Sequence, residues 1–315
     1  MAKLRIIFMG TPDLACESLK ALAETPAFEV IAVVTQPDRP KARDLKLLPP
    51  PVKELAVRLG VPVLQPERAR NETFIAQLRD LAPDLITVAA YGQILPQSLL
   101  DIPKHGCLNV HTSLLPKYRG AAPIQWAILN DEAETGVTIM KMDAGLDTGA
   151  ILTQERTPIR PDDNSQTLHD RLAKMGAALL AQTIPRYVEG SIVPTPQPEE
   201  GVSHAPKIKK TDGRLDWAKP ARFLWNRVRG FSPWPGTFTE MGHDAQRHIV
   251  KIWQAEPCAG SATPGEIISA DKSGVVVACG DGALRLLTLQ REGGRRLPAR
   301  EFLSGFPLHA GQRVG

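Results

Sequence analysis

The sequence predicts an α/β protein: an open, mostly parallel sheet covered by helices, followed by a small C-terminal β-barrel. Three observations predict it. Through the first half, short β-rich runs alternate with stretches of helical periodicity, the order that builds a parallel sheet with helices on both faces. A stretch with four prolines in sixteen residues, 191–206, then interrupts the pattern. Beyond it, glycine turns separate short β-type runs. With 315 residues, 43% of them hydrophobic, the chain can fill the cores of about two domains.

Taken in order, Leu4 to Met9 reads as a strand and Pro12 to Ala23 as a helix, with Thr11 as N-cap and Pro12 at the first helical position. Phe28 to Thr35 is a second strand, Val52 to Leu59 and Asn71 to Leu81 are helices, and Leu85 to Ala89 and Cys107 to Val110 are strands. Gly136 to Lys141 is strand-like, and Ser165 to Tyr187 is a long amphipathic helix. An open, Rossmann-like sheet invites a search for a dinucleotide fingerprint. Gly10-Thr11-Pro12-Asp13 lacks the second and third glycines of that motif, so NAD binding is disfavoured. Residues 1–190 therefore form a first domain, 191–206 a semi-rigid Pro-rich linker and 207–315 a second domain. In the second, a helix near Ala221 to Arg229 precedes β-type runs at His248 to Gln254, Gly274 to Cys279 and Ala283 to Leu289. A small barrel or sandwich follows, with an oligonucleotide-binding (OB-like) barrel among the candidates.

Composition narrows the function. The apolar start is six residues long, too short for a signal-peptide core, and no window approaches the roughly 18 apolar residues of a membrane span. A cytoplasmic protein with no membrane partner is expected, and with it the sequon Asn71-Glu72-Thr73 loses its meaning. Cys16, Cys107, Cys258 and Cys279 are scattered, with no histidines at ligand spacing; they read as reduced packing residues, with no metal site. The net charge of +4 is uneven: residues 207–315 carry 17 Lys+Arg against 10 Asp+Glu, while residues 1–206 carry 21 against 24. A basic appendage on a slightly acidic body suits a polyanionic partner, although a merely solvated surface has the same composition.

The polar run Asn109-Val-His-Thr-Ser-Leu-Leu-Pro-Lys-Tyr-Arg-Gly120 directly follows an apolar strand. Alternation along the strand puts Asn109 and His111 on one face, at the carboxyl end where reactive crevices of open α/β sheets lie. An amide donor beside an imidazole is well suited to holding negative charge on a carbonyl oxygen under nucleophilic attack. Standing alone, the pair would equally be a core histidine next to a turn-forming asparagine. Asp147, in the glycine-bounded loop Met142 to Ala150, would orient His111 and favour the imidazolium if it lay close, or would be an ordinary turn aspartate if it did not.

The Asn109-x-His111 pair, Ser113-Leu114-Leu115-Pro116, Tyr118-Arg119-Gly120, Ala122-Pro123, Trp126-Ala127 and, 36 residues after His111, Asp147 in Gly-Leu-Asp-Thr-Gly occur in the order and spacing of one signature. It resembles that of the folate-dependent formyltransferases. The resemblance covers nearly the whole chain and is weakest after about Trp253. It implies the formyltransferase fold, a catalytic set of Asn109, His111 and Asp147, 10-formyltetrahydrofolate as cosubstrate, and folate contacts from Ser113, Leu114, Leu115 and Pro116. Thr112 stands where relatives often have glycine.

The family differs by acceptor. Glycinamide ribonucleotide enzymes match the catalytic domain alone, whereas amino-sugar nucleotide N-formyltransferases also carry a second domain. Two features separate the branch acting on methionyl initiator tRNA. Gln36 to Pro51 is a long connection without apolar periodicity, made basic by Arg39, Lys41, Arg43 and Lys46, and such loops are usually functional. It resembles the tRNA-entering insertion of that branch, whose key arginine falls on Arg43, with Ala42 and Asp44 in place of the usual glycines. The second is the basic C-terminal domain with its approach Lys207, Lys209 and Lys210, and with Phe231-Ser-Pro-Trp-Pro235 similar to the family's own segment. A monomer is expected. A pure RNA-binding module, with Asn109, His111 and Asp147 idle, is the remaining alternative.

Overall fold

The apolar runs of the first half become one sheet. In the computed structural model, which describes residues 2–41, 46–243 and 246–315, the strands and helices appear in the expected alternation. They are β1 (Leu4–Gly10), α1 (Asp13–Glu24), β2 (Phe28–Val34), β3 (Arg39–Lys41), β4 (Lys46–Leu48), α2 (Pro51–Arg58), β5 (Val63–Leu64), α3 (Glu72–Asp80), β6 (Leu85–Ala89), α4 (Gln97–Leu100) and β7 (Cys107–His111). After these come β8 (Arg119–Gly120), α5 (Pro123–Leu129), β9 (Glu134–Lys141), β10 (Ile151–Pro158), α6 (Ser165–Val188) and β11 (His204–Ala205). The main sheet runs β10-β9-β7-β6-β1-β2-β5, parallel from β7 to β5, with β9 and β10 added antiparallel.

Every residue of β6 and β7 is buried, as expected of strands covered on both faces. One layer of the core packs Ile7, Met9, Val34, Phe74, Leu78, Ile86 and Leu99 together. On β7, Val110 faces α6. Gly176 of that helix has no room for a side chain, since a Cβ would stand 2.7 Å from Val110 Cγ1. The helix lies close on the strand for that reason.

Local chemistry corrects two expectations. Thr11 does not cap α1: its hydroxyl donates to the carbonyl of Tyr91 at 2.9 Å, and Pro12 takes the cap position with no side-chain bond. Asn71 does cap α3, accepting from Phe74 N at 3.1 Å. The segment 36–51, without periodicity in sequence, contains the short hairpin β3–β4, pairing Arg39 with Leu48 and Lys41 with Lys46.

The chain forms two compact units: residues 1–123, 134–158 and 169–205, then residues 124–133, 159–168 and 206–315. Most of the Pro-rich stretch is thus bound to the first unit, where Thr195 bridges Ile151 and β11 pairs with β8. The second unit holds α7 (Ala221–Gly230), β12 (Thr237–His243), β13 (Gln246–Cys258), β14 (Ile267–Asp271), β15 (Gly274–Ala278), β16 (Ala283–Arg291), β17 (Leu297–Pro298) and α8 (Ala299–Gly305). Its antiparallel sheet runs β12-β13-β16-β15-β14, with β17 on β16. Register shifts around Gln254 bend the long β13, and Trp217, Leu224, Val250, Leu286 and Phe302 fill the core.

Candidate active site

β7 ends between parallel β6 and antiparallel β9, one strand from the place where the order of parallel strands reverses between β1 and β6. Asn109 and His111 leave it on the same face, 9% and 5% exposed. Asp147 arrives from the loop after β9. One carboxylate serves three groups: Oδ1 accepts from Asn109 Nδ2 at 3.4 Å, Oδ2 accepts from Gly120 N at 2.8 Å, and Oδ2 stands 3.7 Å from His111 Nδ1. The sequence-predicted trio is therefore assembled across 38 residues of chain.

The imidazole is held from its other side. His111 Nε2 lies 2.9 Å from the carbonyl of Tyr118, which can only accept, so Nε2 carries a proton. Nδ1 faces Asp147 Oδ2 at 3.7 Å, beyond hydrogen-bond distance. The amide of Asn109 and Nδ1 of His111 thus converge on the same carboxylate. An amide and an imidazole beside one carboxylate have the chemistry to hold negative charge on a carbonyl oxygen.

Ser113 to Pro116 form the loop that follows. Ser113 is fully buried, and its hydroxyl donates to Lys117 O at 2.6 Å. The loop is shaped by two residues that sequence reasoning passes over. Thr138 Oγ1 donates to Ser113 O at 2.7 Å and accepts from Leu115 N at 3.1 Å, while Gln154 Nε2 donates to Leu115 O and Thr138 Oγ1, both at 2.9 Å. A threonine amid the apolar run of β9, fully buried, is the signal that could have revealed this role.

The remaining predicted residues lie elsewhere. Arg39 is at the start of β3, where its Nη2 donates to Gln36 Oε1 at 3.3 Å; Lys41 and Lys46 are backbone partners in the hairpin, and Arg43 lies outside the described residues. At the base of the hairpin, Thr11, Pro12, Gln36, Pro37, Leu48 and Pro50 line a hollow of about 420 Å³ at the carboxyl ends of β1 and β2. Lys207, Lys209 and Lys210 are exposed in the second unit; the Lys209 backbone N–H donates to Asp212 Oδ2 at 2.8 Å.

The chain has counterparts among known proteins. The family model described as formyl transferase matches residues 3–184, and the formyl transferase C-terminal domain model matches residues 207–307. The chain belongs to the formyltransferase family. Relatives named methionyl-tRNA formyltransferase from Citrifermentans bemidjiense and Geobacter sulfurreducens are each 50% identical to it over 315 residues, covering 100% of this chain and 98% of theirs. Among solved structures, an N-formyltransferase from Helicobacter canadensis in complex with folinic acid and dTDP-3-aminofucose superposes with a TM-score of 0.63. At 20% identity, over 91% of this chain and 99% of that one, it shares the fold. Among the described residues of this formyltransferase, no helix is long and apolar enough to cross a membrane, and no group of His, Cys, Asp and Glu is arranged to hold a metal ion.

Proposed function

We propose that this formyltransferase moves the formyl group of 10-formyltetrahydrofolate to the amino group of methionyl initiator tRNA, in the cytoplasm and as a monomer, giving formylmethionyl-tRNA and tetrahydrofolate. The observation that carries the reaction is the convergence of an amide, an imidazole and a carboxylate at one strand end. The acceptor is supported by relatives of that name at 50% identity along the full chain.

The formyl oxygen sits between Asn109 and His111. The amine nitrogen attacks the formyl carbon, and the two donors hold the oxyanion as it forms. Asp147 lies against His111 and takes part, directly or through water, in removing the amine's proton. Collapse of the tetrahedral intermediate breaks the bond to the folate nitrogen, which takes up a proton, and tetrahydrofolate leaves. Ser113, Leu114, Leu115 and Pro116 hold the folate, fixed by Thr138 and Gln154 from β9 and β10. Catalysis is assigned to residues 1–190 and tRNA binding to 207–315, with 191–206 between them. Arg43 and the neighbouring Arg39, Lys41 and Lys46 contact the acceptor end, and Lys207, Lys209 and Lys210 contact phosphates.

One assay tests the proposal: 10-formyltetrahydrofolate is supplied with either methionyl initiator tRNA or an amino-sugar nucleotide, and formylation of the tRNA is expected. Formylation of the sugar alone would transfer the site to the other acceptor class. Arg43→Ala is expected to reduce tRNA formylation while leaving folate binding intact; equal loss of both would remove Arg43 from tRNA recognition.

A further inference from the structure

Composition alone makes residues 191–206 a spacer, yet one side chain in it lies against the candidate site. Gln197 is half-buried, and its amide is fully used. Nε2 donates to the carbonyls of Asp147 and Gly149, both at 2.8 Å. Oε1 accepts from Arg119 Nε at 3.0 Å and Arg119 Nη2 at 2.7 Å. Both donors and both lone pairs are thereby committed to two loops, the Asp147 loop and the Tyr118 to Gly120 turn. Those loops meet at the bond from Gly120 N to Asp147 Oδ2.

These loops need an external hold. Asp147 has φ of 53° and Tyr118 has φ of 63°, left-handed conformations that are strained for a non-glycine residue. Gly149 is confined as well, because a Cβ there would collide with Lys141 O. The same segment of chain supplies the hold on the second loop. Ser203 Oγ accepts from Tyr118 N at 2.9 Å, and Ser203 O accepts from Arg119 N at 2.9 Å. Ala205 O accepts from Ala121 N and Ala122 N. Asp147 and Tyr118 O are the two groups that flank the His111 ring, and both are tied to residues 197–205.

We infer that Gln197 is a positioning residue for formyl transfer, setting the Asp147 carboxylate against Asn109 and His111 by clamping the backbone of Asp147 and Gly149 to Arg119. The inference rests on the proposed reaction. Gln197 touches neither reacting group, so its effect must pass through Asp147. A carboxylate displaced by about 1 Å can cost on the order of 10²-fold in rate without weakening substrate binding.

The test uses the full-length protein and steady-state formylation of methionyl initiator tRNA. Gln197→Leu removes all four hydrogen bonds at similar volume. Gln197→Glu keeps an acceptor for Arg119 and loses both donors, so it isolates the clamp on Asp147 and serves should the leucine variant fold poorly. For both, kcat is expected to fall about 10- to 100-fold with KM for folate and tRNA changed less than about 3-fold. In an Asp147→Ala background the same substitutions should reduce kcat by less than about 2-fold more. Wild-type kcat in a folded Gln197→Glu protein, or full additivity with Asp147→Ala, would overturn the inference. If instead the unaltered protein formylates neither acceptor, it is the proposed reaction that fails.

Discussion

At the scale of single residues, the site concentrates its polar burial where the chemistry is. Asn109, His111 and Ser113 are buried polar groups on or just after one apolar strand, and each has a partner. An oxyanion donor or positioned acid is typically worth about 10²- to 10³-fold in rate. Asn109→Ala, His111→Ala and Asp147→Ala are each expected to fold, by circular dichroism, and to lose that much in single-turnover formyl transfer; near-normal turnover in any one removes that residue from its role. The cysteines make the contrasting case. Burial pushes the thiols of Cys107 and Cys279 up to about 12, with nearby Asp101 adding to the effect at the first and Cys258 at the second. The native state therefore favours the protonated thiol, and stability present below the ordinary thiol value of 9.0 is lost as pH rises from there towards 12. Both thiols should resist alkylation of the folded protein at about pH 8 and react only after denaturant is added; fast labelling under native conditions would contradict the burial.

At the scale of elements, the antiparallel pair β9–β10 holds the 113–116 loop. Thr138→Val keeps the branched shape and removes the hydroxyl, leaving Leu115 N without its acceptor in a buried place. An unmet buried donor costs about 1–3 kcal/mol. The expected result is a rise of about 10-fold in KM for the formyl donor with kcat less affected, read by steady-state kinetics; an unchanged KM would mean that the loop holds its own shape. Gly136→Ala should act on the same loop more severely, because a Cβ there meets Glu155 O and comes within 2.6 Å of Leu114 Cδ2. How far these elements are legible in the sequence follows from the kind of force that makes them. β1, β2, β6 and β7 are readable from hydrophobic runs, and the carboxyl end of β7 carries Asn109 and His111 on one face. The β3–β4 hairpin is not, because its pairing partners Arg39, Pro40 and Lys41 carry no apolar alternation. β10 escapes for a related reason, as Thr153, Gln154, Glu155 and Arg156 are polar, and its register with β9 is set by the ladder itself. Gln197 is invisible because a proline-rich composition reports backbone stiffness and says nothing of which loops an amide in it will reach.

At the scale of the whole molecule, charge is distributed unequally. The second unit keeps a partly exposed ion pair, Arg222 with Asp131, whose carboxylate is held below its ordinary range first by the Arg222 hydrogen bonds. Stability from that pair is present above pH 3.8 and is lost as pH falls below it; with both side chains about half exposed, it amounts to about 0.5 kcal/mol after solvent screening. The larger electrostatic consequence is binding. Residues 207–315 carry a net charge of +7, and Lys207, Lys209 and Lys210 are exposed at the start of that stretch. Each lysine that neutralises a phosphate releases about one counterion, so binding to tRNA should weaken linearly in log affinity against log salt concentration. Replacing all three lysines with glutamine should therefore reduce the slope by about 2 to 3 and weaken binding of initiator and elongator tRNA alike, since phosphate contacts carry no sequence information. Fluorescence titration between about 50 and 200 mM salt measures it. A slope left unchanged by the triple substitution would move the phosphate contacts elsewhere on the basic surface, and a loss confined to initiator tRNA would make these lysines readers of tRNA identity instead of anchors on its backbone.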